Sequence, residues 1–209
     1  MMDYVFTITD RNGTITRTYD ALNRVTSYTD TYNKTIGYEY DQVGNLTKIT
    51  YPDNTAVTYA YDANRNLIRV TDWANRVTTY TYDENNRVVG VTKPDGSTTT
   101  TTYDSKQRVV SSVERKADNT VISGFSYVYD TLGRISEETH LDKNEKFCYT
   151  YDVLNRVTAR TVMNATTGMF VSRETFSYDA AGNITGGSDD STNKLIKPYN
   201  LSSPDKFRR

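Results

Sequence analysis

One cysteine, one histidine and one tryptophan in 209 residues leave no material for a disulfide framework, a zinc cluster or a histidine-based catalytic array. A formal net charge of -1 removes the electrostatic footprint that nucleic acid binding requires, and no cofactor or metal is expected. No run approaches the roughly 18 apolar residues of a membrane helix, so no membrane insertion is expected. The opening MMDYVFTITD lacks the basic stretch and apolar segment of a secretory signal. Aliphatic core is scarce, because hydrophobic residues make up only 36% of the chain. Tyrosine is plentiful instead: the 18 copies fit half-exposed sheet faces, where a large ring is covered and its hydroxyl stays wet.

Those tyrosines are ordered. Tyr-Asp pairs begin at Tyr19, Tyr40, Tyr61, Tyr82, Tyr103, Tyr129, Tyr151 and Tyr178, and the first four intervals are each 21 residues. A fixed period of this length marks a tandem array in which each unit buries its apolar face only by stacking on neighbours. Two turns recur per copy. The first opens on Asp20, Asp41, Asp62, Asp83, Asp104, Asp130, Asp152 or Asp179, where a carboxylate accepts the backbone N–H two residues on. Its fourth place holds Asn23, Gly44, Arg65, Asn86, Gln107, Gly133, Asn155 or Gly182, which predicts positive φ and a bulged hairpin loop, with Arg65 and Gln107 mildly strained. The second turn carries Asn33, Asn54, Asn75 or Gly96, fourteen residues after the tyrosine.

Between the turns, Val57, Tyr59 and Tyr61 alternate with Thr58 and Ala60, as a half-buried strand requires. The spacing of Leu46 and Ile49, three apart, breaks alternation and implies a bulge beside the first turn. Later intervals of 26, 22 and 27 residues place extra length around Glu114 to Val121, Asp142 to Lys146 and Asn164 to Phe170, all at the second turn. The expected fold is all-β: tandem antiparallel hairpins in one curved, spiralling sheet over residues 1–187, followed by a flexible tail over 188–209. At about 4.8 Å per strand the ribbon would be roughly 80 Å long, and open sheets of that many strands curl.

The pattern Tyr-x-Tyr-Asp-x-x-Gly/Asn-Arg/Asn-Leu/Val/Ile-Thr, as in YEYDQVGNLT, YTYDVLNRVT and YVYDTLGRIS, resembles the YD repeat of the Rhs (rearrangement hotspot) family, related to Tc toxin shell components and teneurins. The resemblance implies a hairpin ribbon that spirals into a hollow shell. In bacterial members such a shell encloses a C-terminal toxin, and in teneurins it supports adhesion. It also implies a secreted or cell-surface location within a larger bacterial protein, whose remainder or toxin cargo would be the partner. Bacterial members carry a core segment with an aspartyl self-cleavage site after the repeats, and this sequence contains no such segment.

No enzyme is expected. The eight turn aspartates lie about 10 Å apart along a sheet, too far to share one cation, so backbone capping is their reading. Rows such as Tyr38/Tyr40, Tyr59/Tyr61, Tyr80/Tyr82, Tyr127/Tyr129 and Tyr149/Tyr151 read as the packing ladder, with a sugar-stacking platform or a cargo lining as alternatives. His140 and Cys148 flank a turn, but no third group orients them as a nucleophilic pair. Trp73, in a second turn, reads as an internal plug ahead of an exposed binding anchor. The alternative function is a surface module binding carbohydrate or protein through the tyrosine strands and the turns at Glu114 to Val121 and Asn164 to Phe170.

Overall fold

A computed structural model describes residues 4–190 and 194–196. Among these residues every regular element is a β-strand, and the strands pair antiparallel. The chain divides into two compact units, Met1–Thr99 and Thr100–Arg209.

The first unit runs β1 (Tyr4–Asp10), β2 (Gly13–Tyr19), β3 (Val25–Thr29), β4 (Thr35–Tyr40), β5 (Leu46–Thr50), β6 (Ala56–Tyr61), β7 (Leu67–Thr71), β8 (Val77–Tyr82) and β9 (Val88–Thr92). Each strand pairs with the next. The second holds most of β10 (Thr98–Tyr103), then β11 (Val109–Arg115), β12 (Val121–Tyr129), β13 (Ile135–His140), β14 (Glu145–Tyr151), β15 (Val157–Asn164), β16 (Phe170–Thr175), β17 (Ser177–Tyr178), β18 (Ile184–Asp189) and β19 (Lys194–Ile196). From β11 to β16 the pairing is again sequential. Among the described residues both ribbons are open, with no strand returning to close a barrel.

All eight YD tyrosines are the last residue of their strand. The bulge implied by the Leu46 and Ile49 spacing is there: Glu39 pairs with Lys48 but Tyr40 with Leu46, so Thr47 is the extra residue. The same slip sets Tyr19 against Val25, Tyr61 against Leu67, Tyr82 against Val88, Tyr129 against Ile135, Tyr151 against Val157 and Tyr178 against Ile184.

Both turns of a copy are one loop type. At the first, Asp20 N–H donates to Arg24 O (2.9 Å) and Asn23 N–H to Asp20 O (3.0 Å); at the second, Asp30 N–H donates to Lys34 O (3.0 Å) and Asn33 N–H to Asp30 O (3.1 Å). The fourth residue has positive φ at Asn23, Gly44, Arg65, Asn86, Gln107, Gly133, Asn155 and Gly182, and also at Asn33, Asn54, Asn75 and Gly96. Arg65 and Gln107 take φ of 66° each, a left-handed geometry that costs a residue with a Cβ about 1 kcal/mol. Arg65→Gly and Gln107→Gly are therefore each expected to raise the unfolding free energy by about 0.5–1 kcal/mol, measured by urea denaturation; loss of stability in both would refute the turn assignment.

Burial is shallow. Val57 and Ala159 are the only apolar residues below a tenth exposed among the described residues. In β6 the alternation is as read from sequence, with Val57 buried, Tyr59 and Tyr61 half-buried, and Thr58 and Ala60 exposed.

Two expectations change. The long interval between Tyr103 and Tyr129 does not enlarge a loop: the turn at 116–120 keeps the usual pattern, Asn119 N–H to Lys116 O at 2.9 Å, and the added residues lengthen β11 and β12. The boundary drawn after residue 187 falls inside β18, whose Gly187, Ser188 and Asp189 pair with Ile196, Leu195 and Lys194 of β19. Backbone pairing needs no apolar alternation, which is why GGSDD concealed a strand. The remainder of that segment, 191–193 and 197–209, lies outside the described residues.

Candidate functional site

The most regular residues of the sequence converge on one repeated arrangement. Pairing between consecutive hairpins stops before the bulge: β3 and β4 pair only from Ser27↔Gly37 to Thr29↔Thr35. The Val25 carbonyl beyond that point is taken by the Tyr40 hydroxyl, which donates to it at 3.0 Å. Likewise Tyr61 donates to Leu46 O (2.9 Å), Tyr82 to Leu67 O (2.8 Å), Tyr129 to Val109 O (2.7 Å), Tyr151 to Ile135 O (2.5 Å) and Tyr178 to Val157 O (2.7 Å). Each hydroxyl thus satisfies a backbone acceptor of the preceding copy. Partial burial raises the phenol pKa of Tyr40, Tyr61, Tyr82 and Tyr151, which keeps the donor protonated. Tyr19, which ends β2, stacks on Tyr4 with centroids 4.7 Å apart, and Tyr103 ends β10.

An arginine completes the joint. Arg24 Nε donates to Asp20 Oδ2 at 2.7 Å, its guanidinium carbon lies 4.6 Å from the Tyr40 ring centroid, and its Nη1 donates to Asp41 O at 3.0 Å. One side chain therefore links its own turn to the next copy's tyrosine face and turn. Arg156 repeats all three contacts, with Asp152 at 2.6 Å, the Tyr178 centroid at 4.6 Å and Asp179 O at 3.0 Å. Arg134 does so with Asp130, Tyr151 and Asp152 O, and Arg108 stacks 4.0 Å from the Tyr129 centroid. Where asparagine replaces arginine the turn is still braced, Asn45 Nδ2 donating to Asp41 Oδ2 at 2.8 Å, but the cation over the next ring is gone.

The aspartates take more bonds than the one read from sequence. Asp20 Oδ1 accepts from Leu22 N–H (2.9 Å) and Arg24 N–H (3.0 Å), while Oδ2 takes Arg24 Nε. Asp41, Asp62, Asp83, Asp104, Asp130, Asp152 and Asp179 each accept the backbone N–H four residues on, along with a side chain. Backbone bonds from Arg24, Arg108 and Arg156 hold Asp20, Asp104 and Asp152 below the ordinary carboxylate pKa, and the Asn66, Arg87 and Asn183 side chains do most to lower Asp62, Asp83 and Asp179. For Asp41 and Asp130 partial burial is the largest single influence and acts upward, yet the summed hydrogen bonds still lower both.

Sequence reasoning missed the arginine as a working part, although Arg/Asn at that place was visible in the repeat pattern. Asp30 and Asp72 also cap second turns from the first place, and Asp53 and Asp95 from the third.

His140 and Cys148 are not brought together. Register sets Glu138 against Phe147 and Glu137 against Cys148, so the two lie on opposite faces of the sheet. His140 Nε2 bonds Glu138 Oε1 at 2.8 Å and its ring meets Phe147, whereas Cys148 Sγ lies 3.9 Å from Met163 Sδ and burial raises its pKa. Among the described residues no three His, Cys, Asp or Glu side chains are grouped to hold a metal. His140→Ala and Cys148→Ser are expected to shift only the local melting behaviour; a hydrolytic activity abolished by either would overturn this.

Trp73 corrects the plug reading. The residue is 59% exposed, at the second place of the turn that runs from Asp72 to Arg76. The Arg76 guanidinium lies 5.8 Å from its ring centroid.

The RHS repeat model matches residues 40–77, 74–98 and 82–121, which contain successive copies of the turn and bulge. Residues 40–121 are thus recognised as RHS (YD) repeats. A chain of the Photorhabdus luminescens Tc holotoxin pore structure, bearing a TccC3 mutation, is similar over 94% of this YD-repeat chain, with a TM-score of 0.53 and 16% identity. A TcdB2-TccC3-TEV structure is similar over 86%, with a TM-score of 0.46 and 15% identity. The YD-repeat segment spans only 11% of either solved chain. No curated protein matches it.

Proposed function

We propose that this YD-repeat chain is a non-enzymatic wall segment of a larger bacterial Rhs-like protein whose shell encloses a polymorphic toxin, and that it reaches the cell surface or exterior with that protein. The observation that carries the reading is where the repeat uses its recurrent groups. Tyrosine hydroxyl, arginine and aspartate are consumed in joining one hairpin to the next and in bracing its turn, as a wall demands. Pairing between hairpins is complete at the second turn and stops short at the YD turn, where the tyrosine hydroxyl takes its place. Its partners are then the remainder of the shell and the enclosed chain.

The test is electron microscopy of the complete parent protein with limited proteolysis. A hollow particle in which a C-terminal segment resists protease until the shell is opened is the expected result. An extended ribbon with no enclosed volume would refute it.

A further inference from the structure

The joint between β1 and β2 departs from the arginine pattern. Tyr4 stands before VFTITD as Arg24 stands before VTSYTD, so a phenol occupies the place that holds the arginine in the following copy. Its ring lies over that of Tyr19, with centroids 4.7 Å apart and planes 9° from parallel, whereas guanidiniums cover Tyr40, Tyr129, Tyr151 and Tyr178. Tyr4 and Tyr19 are also direct cross-strand partners in register. The Tyr19 hydroxyl donates to no carbonyl among the described residues, while six other YD tyrosines do. Tyr4 is 44% exposed, so solvent and a diffusible oxidant reach the pair.

We infer that Tyr4 and Tyr19 are a site of oxidative coupling, at which a dityrosine bond fastens β1 to β2. The oxidant is of the peroxide-driven haem class and takes one electron and one proton from each phenol. The two phenoxyl radicals join through a new C–C bond between the ring carbons ortho to oxygen. The hydrogens on those two carbons then move to the oxygens, which restores both phenols. The two electrons and two protons removed reduce one hydrogen peroxide to two waters. Proximity favours this pair, because the residues are already opposed and in ring contact, and a swing of the exposed Tyr4 ring brings edge to edge. At Tyr40, Tyr129, Tyr151 and Tyr178 the cation over the ring opposes loss of an electron and keeps a second phenol off that face. Tyr127 and Tyr129 lie farther apart, at 6.3 Å and tilted by 51°, with the Tyr129 hydroxyl bound to Val109 O. The inference is independent of the shell reading.

The 209-residue chain, dilute enough to suppress coupling between copies, would be treated with a haem peroxidase and limiting hydrogen peroxide. A monomer that has lost two hydrogen atoms and shows dityrosine fluorescence is expected, with peptide mapping joining Tyr4 to Tyr19. Tyr4→Phe and Tyr19→Phe keep an aromatic ring at each place but remove the oxidisable hydroxyl. Each should lower the yield of intramolecular dityrosine at least about tenfold without moving the melting temperature. In the coupled chain the β1 amides should exchange at least about tenfold more slowly, because the bond closes a short loop and holds the strand against local opening. Dityrosine spread over other tyrosines, coupling only between copies, a yield that survives Tyr4→Phe, or a linked chain whose β1 exchange is unchanged overturns the proposal.

Discussion

Replacing Tyr61 by alanine is expected to lower the unfolding free energy by about 3 kcal/mol, the lower end of the range for truncating a packed aromatic, because the ring is only half-buried. Two losses combine: the packing shared between neighbouring hairpins, and the hydroxyl that satisfies Leu46 O. Tyr61→Phe isolates the second and should cost about 1 kcal/mol. Asp62→Ala should cost less than Tyr61→Ala, since the three donors it releases, from the Asn64 and Asn66 backbones and the Asn66 side chain, lie at a turn that water reaches. Urea unfolding of the three variants ranks them. An Asp62 variant weaker than the Tyr61 variant would mean that turn bracing, and not the tyrosine joint, holds the ribbon.

The second large effect is collective and depends on pH. Every first-turn aspartate has a folded pKa below its ordinary value. A depressed acid contributes stability that is complete above the unfolded pKa and is lost as pH falls through the folded one. The melting temperature should therefore hold level from neutrality to about pH 4 and fall steeply below it. The tyrosines act in the opposite sense. Tyr149 is pushed up to about 12, by burial first and then by donation to Glu138 Oε2 at 3.0 Å, and Tyr40, Tyr59, Tyr61, Tyr82, Tyr127 and Tyr151 are also raised. Their contribution is complete below the ordinary phenol pKa of about 10 and disappears as pH rises through the folded values. Melting curves across the pH range should trace a plateau with two falling limbs. A flat profile down to pH 2 would show that the turn carboxylates contribute little.

The hairpins, their turns and the bulge were legible in sequence because each is local: Asp at one end of a turn, Asn or Gly three residues on, and aliphatic residues three apart specify backbone geometry within a few residues. The joint was not, because its parts are far apart in the chain. Arg24 reaches Tyr40 and Asp41, and the carbonyl that Tyr40 satisfies belongs to Val25, fifteen residues back. A repeat pattern reveals which residues recur without revealing whether they serve their own copy or the next. Trp73 misled for a related reason: large aromatics are usually covered, but a turn in a single-layer sheet has nothing above it to cover them. The strand at Ile184–Asp189 escaped notice because its pairing is carried by backbone groups under a polar, glycine-containing sequence.

Native-state hydrogen exchange on Tyr61→Ala tests the joint most directly, because it reads which strands depend on that side chain. If the tyrosine holds its hairpin to the preceding one, amides of β5 through β8 should exchange faster while those of β1 and β2 keep their protection, as nearest-neighbour stacking requires. Acceleration spread evenly along the chain, or confined to β6 and β7 with β5 untouched, would contradict it.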